Sequence, residues 1–298
     1  MKKTLLFAFI SLPWFTLTAQ SFYIKPFGGI SAGINGTLFN LSSSEYYENQ
    51  DTNYTTYGHE SAKVSFGNGA KFGLTLGADL TKNIAFELTT DYSKGKSQEI
   101  IMNTNYAYHY DQDYTIKIND KYNLESSSVQ ITPSLLIKSS NRTITPYFKF
   151  GVIIGITRFT EKWQRSLFNT IPTYYPFESW SHILKYDRTV SVGITSAMGC
   201  EYYLFEDFYI FAEGRYSNFN ATPRKSELTE YKYRGEDRLE TLPVNERKFE
   251  YVAEYSDADN INPDKPGKNL ISQFALSNIT FIAGFRLDIN FNKTEKVK

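Results

Sequence analysis

The stretch that decides the fold is "SNITFIAGFRLDINF", residues 277–291. In an extended chain successive side chains point to opposite faces, so Ile279, Phe281, Ala283, Phe285, Leu287, Ile289 and Phe291 share one side. Asn278, Thr280, Gly284, Arg286, Asp288 and Asn290 share the other, interrupted only by Ile282. A strand this apolar on one face, with an arginine and an aspartate on the other, has to satisfy two different media.

The same alternation recurs seven more times, at 21–35, 71–80, 83–93, 128–138, 143–157, 189–204 and 207–217. In "TITPYFKFGVIIGIT", for example, Ile144, Phe148, Phe150, Val152, Ile154 and Ile156 oppose Thr145, Tyr147, Lys149 and Thr157. The connections alternate in length. Tight turns fall at Thr81–Asn83, Ser139–Arg142 and Glu206–Asp207, and long polar segments span 37–70, 96–122, 159–186 and 221–273. Short turns at one end and long loops at the other predict an all-β, eight-stranded antiparallel transmembrane β-barrel with long extracellular loops and periplasmic termini. Ten strands would result if part of 221–273 entered the membrane.

Composition narrows the alternatives. Formal net charge is zero, which gives no reason to expect a nucleic-acid partner. Mean hydropathy is −0.41, and no run after the leader approaches the roughly 18 apolar residues of a membrane helix. Residues 1–19 read as a signal peptide, with Lys2 and Lys3 before an apolar core and small Ala19 at its end. The mature chain then starts at Gln20 or Ser21, and 20–298 forms one barrel domain. Cys200 is the single cysteine, so no internal disulfide is expected; it reads as a small apolar residue on a strand face.

Alternation alone also fits a soluble barrel with its apolar face inward. Glycine decides between them. Gly29, Gly33, Gly73, Gly77, Gly151, Gly155, Gly193, Gly199 and Gly284 all share the charged face. Glycine weakens a strand and marks close approach, which a crowded lumen needs and a solvated surface does not. The charged face is therefore inside. Six cations (Lys25, Lys71, Lys138, Lys149, Arg215, Arg286) then meet six anions (Asp79, Glu87, Asp91, Glu201, Glu213, Asp288) there, and mutual pairing is expected because an unpaired buried charge is costly. Counted from the turn ends, Glu87, Lys149, Glu213 and Arg286 come to one depth and predict a central ionic cluster, with Arg215 and Asp288 beside it. Such a cluster would be structural and would plug the lumen.

With these residues in place, the chain resembles the small outer-membrane β-barrels of Gram-negative bacteria, the OmpA-like transmembrane and porin-like barrels. Gly284, Leu287, Ile289 and the closing Phe291 resemble the C-terminal signal that this family presents to barrel-assembly machinery. The resemblance implies residence in the outer membrane among its lipid and lipopolysaccharide.

Little suggests catalysis. His59, His109 and His182 fall in loop segments without a Ser and acid at a recognisable spacing. "DADNINPD", residues 257–264, gathers Asp257, Asp259, Asn260, Asn262 and Asp264, but lacks the glycine and glutamate of an EF-hand and reads as a solvated acidic loop. No cofactor, metal or enzymatic activity is expected. Sixteen of the 23 tyrosines lie in the four long segments. They read as cross-strand partners in extended hairpins or as a contact surface for an extracellular ligand or host surface. The function expected is a non-enzymatic envelope or surface-interaction scaffold, with a narrow or gated channel as the alternative.

Overall fold

The structure is a computed structural model that describes residues 21–34, 36–49, 52–109, 113–141, 143–169 and 177–289. Residues 37–49, 52–63, 103–109, 113–115, 169 and 257 are described by their backbone alone. The expected signal peptide and Phe291 lie outside the described residues.

The described chain is nearly all β. In order, the strands are β1 (Ser21–Gly33), β2 (Thr37–Asn49), β3 (Thr52–Val64), β4 (Gly69–Asp79), β5 (Ile84–Gly95), β6 (Gln98–His109), β7 (Asp113–Lys138), β8 (Ile144–Asn169) and β9 (Glu178–Tyr186). There follow β10 (Thr189–Phe205), β11 (Phe208–Asn218), β12 (Asn220–Ala221), β13 (Lys225–Tyr233), β14 (Glu236–Asp237), β15 (Lys248–Val252), β16 (Gly267–Leu270), β17 (Phe274–Ala275) and β18 (Asn278–Ile289).

Eight of them, β1, β4, β5, β7, β8, β10, β11 and β18, pair antiparallel in a cycle that closes from β18 back to β1. The cycle is staggered. A ladder followed from Ser128 through Ser93, Lys71, Gly29, Ile282, Glu213, Gly199 and Tyr147 returns to β7 at Lys138, ten residues further along. With eight strands, that shear tilts them about 40° from the axis. The short turns all lie at one end. Glu206 closes the β10–β11 turn with φ of 45°, a conformation uncommon outside glycine.

The other end takes the extended-hairpin reading of the long segments. The segments read as long loops are largely strands: β2 and β3 form a hairpin, β6 pairs with the upper half of β7, and β9 pairs with the upper half of β8. β13 pairs with β9, and β15 and β16 follow. Polar, tyrosine-rich sequence forms strands here because its cross-strand neighbours are already fixed by the ring below. Residues 221–273 do not enter the cycle, because β11 pairs directly with β18.

The faces are sorted as the alternation demands. Outward side chains on the ring are apolar and bare: Ile30, Phe72, Val192, Met198 and Phe281 are each more than 60 % exposed. On β10 the outward row runs from Val190 to Tyr202 and is closed above by exposed Arg188. That row spans about 30 Å along the axis at ~3.3 Å per residue and ~40° tilt. Inward side chains are polar and buried, Lys25, Glu87, Lys149, Glu213, Arg215 and Arg286 among them.

Candidate functional site: the charged lumen and its aromatic cap

The interior fills in two layers. The lower one is ionic. Glu87 accepts from Lys25 (2.5 Å) and Lys149 (3.1 Å), and Lys149 also reaches Glu213 (2.8 Å). Glu213 holds Arg215 (2.9 Å), which approaches Asp91 (3.5 Å). Lys25 turns the other way to Glu201 (2.7 Å), which binds Arg286 (2.8 Å). Arg286 completes the layer through Asp79 (3.0 Å) and Asp288 (2.6 Å), and Lys138 meets Asp79 at 2.6 Å. Glu87, Lys149, Glu213 and Arg215 are thus in direct contact, as are Arg286 and Asp288. Among the described ion pairs the two groups are joined through Lys25 and Glu201.

This corrects the expected cluster. Arg286 does not sit with Glu87, Lys149 and Glu213. Counting from the turns ignores the stagger, and ten residues shared over eight strands put Arg286 nearer the turn end. The pairing is also incomplete: Lys71 is 1 % exposed, and its ammonium has no hydrogen-bond partner among the described residues.

Aromatic rings seat the ions. The Tyr23 hydroxyl donates to Glu87 and the Tyr147 hydroxyl to Glu213, each at 3.0 Å. The Arg286 guanidinium lies 3.8 Å from the Tyr23 ring centre, a close cation–π contact. Two glycines make this possible. Gly77 is the cross-strand neighbour of Tyr23, and Gly199 that of Tyr147. A Cβ on Gly77 would overlap the Tyr23 ring, and one on Gly199 would come within 2.5 Å of the Tyr147 hydroxyl. Ile282, the exception in the opening strand, is also explained. It is 3 % exposed and packs with Phe27 and Phe211 inside the ring, over the bare backbone of Gly29.

The upper layer is apolar. Val64, Phe66, Leu124, Ile153, Phe159, Phe219, Ala221, Phe274 and Leu276 form one buried cluster. Phe66, Phe159 and Phe274 meet edge to face or tilted at 4.6 to 5.1 Å, and Tyr186 leans on Phe274 at 5.3 Å. The Tyr186 hydroxyl donates to Glu161 (3.2 Å); burial, then the Glu161 charge, holds its pKa well above the ordinary tyrosine range. Alternation did not reveal this cap, because Val64, Phe66, Ala221, Phe274 and Leu276 lie outside the ring strands.

At the turn end a cavity of about 500 Å³ opens, lined by Asp79, Lys138, Glu201, Tyr209, Arg286 and Asp288 with the turn residues around them. Cys200 faces outward and borders a shallow apolar groove with Ala212, Ala283 and Phe285. His182 stands on β9, 4.0 Å from Glu161, while the side chains of His59 and His109 lie outside the described residues. In the acidic loop, Asp259 bonds Lys268 (2.8 Å) and caps the turn at Ser256, and Asn260 bonds the Lys268 backbone. Among the described residues no group of His, Cys, Asp and Glu is placed to hold a metal.

No protein-family model and no curated protein matches the chain. Among solved structures it is similar to the outer membrane protein OprG from Pseudomonas aeruginosa, at TM-score 0.42 and 12% identity over 92% of this chain and 97% of that one. It is also similar to the outer membrane protease OmpT from Escherichia coli, at TM-score 0.25 and 11% identity over 91% of this chain and 98% of that one. Both are too distant to bring any residue role with them.

Proposed function

We propose that the chain is a non-enzymatic outer-membrane protein, an eight-stranded β-barrel in the OmpA-like and porin-like style, that is closed to solutes and works through the strands projecting from its far end. One observation carries the reading: charges are buried inside the ring and large apolar side chains are bare outside it, the inverse of a soluble domain. The apolar row is about as tall as the ~30 Å hydrocarbon layer. Paired aromatics at the turn end, Phe205 on Phe208 (5.2 Å) and Phe208 on Phe285 (5.4 Å), suit an interfacial girdle. In this reading the outer face meets membrane lipid and lipopolysaccharide, barrel-assembly machinery inserts the chain, and the termini are periplasmic. The ionic layer and the cap are structural plugs.

A narrow or gated channel is the second reading. The turn-end cavity favours it, since it brings charged luminal side chains such as Arg286 and Asp79 to an opening at that end. Conductance of the refolded protein in a planar bilayer separates the two. A closed scaffold shows no steady current in the wild type. A reproducible wild-type conductance, altered by Glu213→Gln or Arg286→Gln, would overturn it in favour of the channel.

A further inference from the structure

At its upper edge the apolar outer face changes character along one arc of the ring. Tyr92 on β5, Val129 on β7, Ile156 on β8 and Val190 on β10 form one exposed cross-strand row. In the outward row directly above, Lys94 stands in register with Ser127, and Ser127 with Arg158. Arg188 lies one residue beyond the Thr157–Thr189 pair, beside Arg158 on the neighbouring chain. Lys94, Arg158 and Arg188 are all exposed. On β4, β1 and β11 the outward positions above Phe72, Ile30 and Tyr216 hold Ala70, Ala32 and Asn218 instead.

The three cations have no ion-pair or hydrogen-bond partner among the described residues. The carboxylates nearest in sequence and register are engaged elsewhere. Glu125, two residues above Ser127, pairs with Lys162 (2.6 Å), and Asp187 accepts from the backbone N–H groups of Arg224 (3.2 Å) and Lys225 (3.3 Å). Like charges side by side on paired chains repel, so Arg158 and Arg188 cost stability unless an anion lies between them. Guanidinium groups suit a phosphate there, since each can bond two of its oxygens. Lys94 stands two strands away, about 10 Å at ~4.8 Å per strand, and offers a second anion position. The apolar row beneath decides the source. A free anion makes no use of it, whereas a lipid sets its phosphates on the cations and its chains on the row below.

We propose that Lys94, Arg158 and Arg188 hold the phosphates of a doubly phosphorylated lipid, the lipid A portion of lipopolysaccharide. The inference rests on the reading of the chain as an outer-membrane barrel with this end outward, and it gives that lipid a defined site.

Protein refolded in an uncharged maltoside micelle is titrated with doubly phosphorylated lipid A, with its dephosphorylated form and with phosphatidylglycerol, and bound lipid is counted by native mass spectrometry. Saturable retention of one lipid A is expected, weakening as salt rises. The dephosphorylated form should bind ~tenfold or more weakly, and the variant carrying Arg158→Gln and Arg188→Gln should lose as much for lipid A. That variant loses a repulsion, so in the lipid-free micelle it should melt no lower than the wild type, which separates lost binding from lost fold. Replacing both arginines by lysine should restore part of the binding. Lys162→Gln, which removes an exposed cation already paired with Glu125, should leave it unchanged. No saturable binding overturns the proposal, as does equal binding of the dephosphorylated lipid, phosphatidylglycerol held as tightly as lipid A, or an unaltered titration in the glutamine variant. Recovery of the protein from membranes without detergent would instead overturn the outer-membrane reading itself.

Discussion

The lower lumen and the cap above it share the same staggered strands, yet one is filled with ions and the other with rings. In the lower half every inward position lies on a ring strand, where alternation fixes side chains at set distances. Long cations and carboxylates can bridge those gaps, and Gly77 and Gly199 let tyrosines lie flat between them. In the upper half the fill comes from returning segments at Val64–Phe66, Phe219–Ala221 and Phe274–Leu276, which place whole side chains on the axis. The lesson is one of reach: strands alone fill the lower ring mainly with long polar side chains and tyrosines, with one small apolar cluster at Phe27, Phe211 and Ile282, whereas inserted chain adds the apolar side chains that complete the cap.

The comparison breaks most sharply at Glu87, which is shared by Lys25 and Lys149. Glu87→Ala leaves two buried ammonium groups short of a partner and should cost about 3–5 kcal/mol, more than the intact pairs contribute net. Urea unfolding in micelles measures it. A loss under 1 kcal/mol would mean that water reaches this layer. Phe159→Ala, in the cap, should cost about 3 kcal/mol through the cavity left among Phe66, Phe274 and Tyr186. Its effect should be local, read as faster proteolysis of 219–277 while the ring stays folded. Loss of the whole ring instead would show that the cap and barrel form one cooperative unit.

A third test compares two glycines. Gly77→Ala drives a methyl into the Tyr23 ring and should cost about 1–3 kcal/mol. Gly28→Ala, on the outer face with its nearest neighbour at 3.7 Å, should be close to neutral. Equal effects would remove the argument that glycine marks the crowded face.

That argument was legible in the sequence, and so were the ring strands and their tight turns, because period-two alternation survives wherever two media are separated by a sheet. Three things were not. The depth of Arg286 depends on shear, a property of the closed cycle rather than of any strand. Ile282 looked like a defect on a polar face; it fits because Gly29, its cross-strand neighbour, leaves room for it beside Phe27 and Phe211. The long polar segments could be read as loops or as extended hairpins, because Tyr, Ser and Thr alternate without an apolar face, and which strands pair depends on the neighbours beside them. Among them, Trp163 and His182 come together only through the register of β8 and β9.

The smallest expected effect tests where the cap meets the projecting strands. Tyr186 is half-buried against Phe159 and Phe274, stacks on Tyr251 at 5.9 Å and donates to Glu161. Burial first, then the Glu161 charge, raises its pKa far above the ordinary value of about 10. A raised pKa means that its contribution is complete below pH about 10 and is lost as pH climbs beyond that, because only the opened state ionises freely. The cap should therefore loosen in strong alkali through Tyr186 while it is unaffected at neutral pH. Tyr186→Phe removes the ionisable group at a cost of about 1 kcal/mol near neutrality, one hydrogen bond to a half-buried carboxylate. Followed by absorbance near 295 nm alongside proteolysis of 219–277, the wild type should release one late-ionising tyrosine as the cap opens, and the variant should lack it. An identical alkaline transition in both proteins would place the weak point of the cap elsewhere.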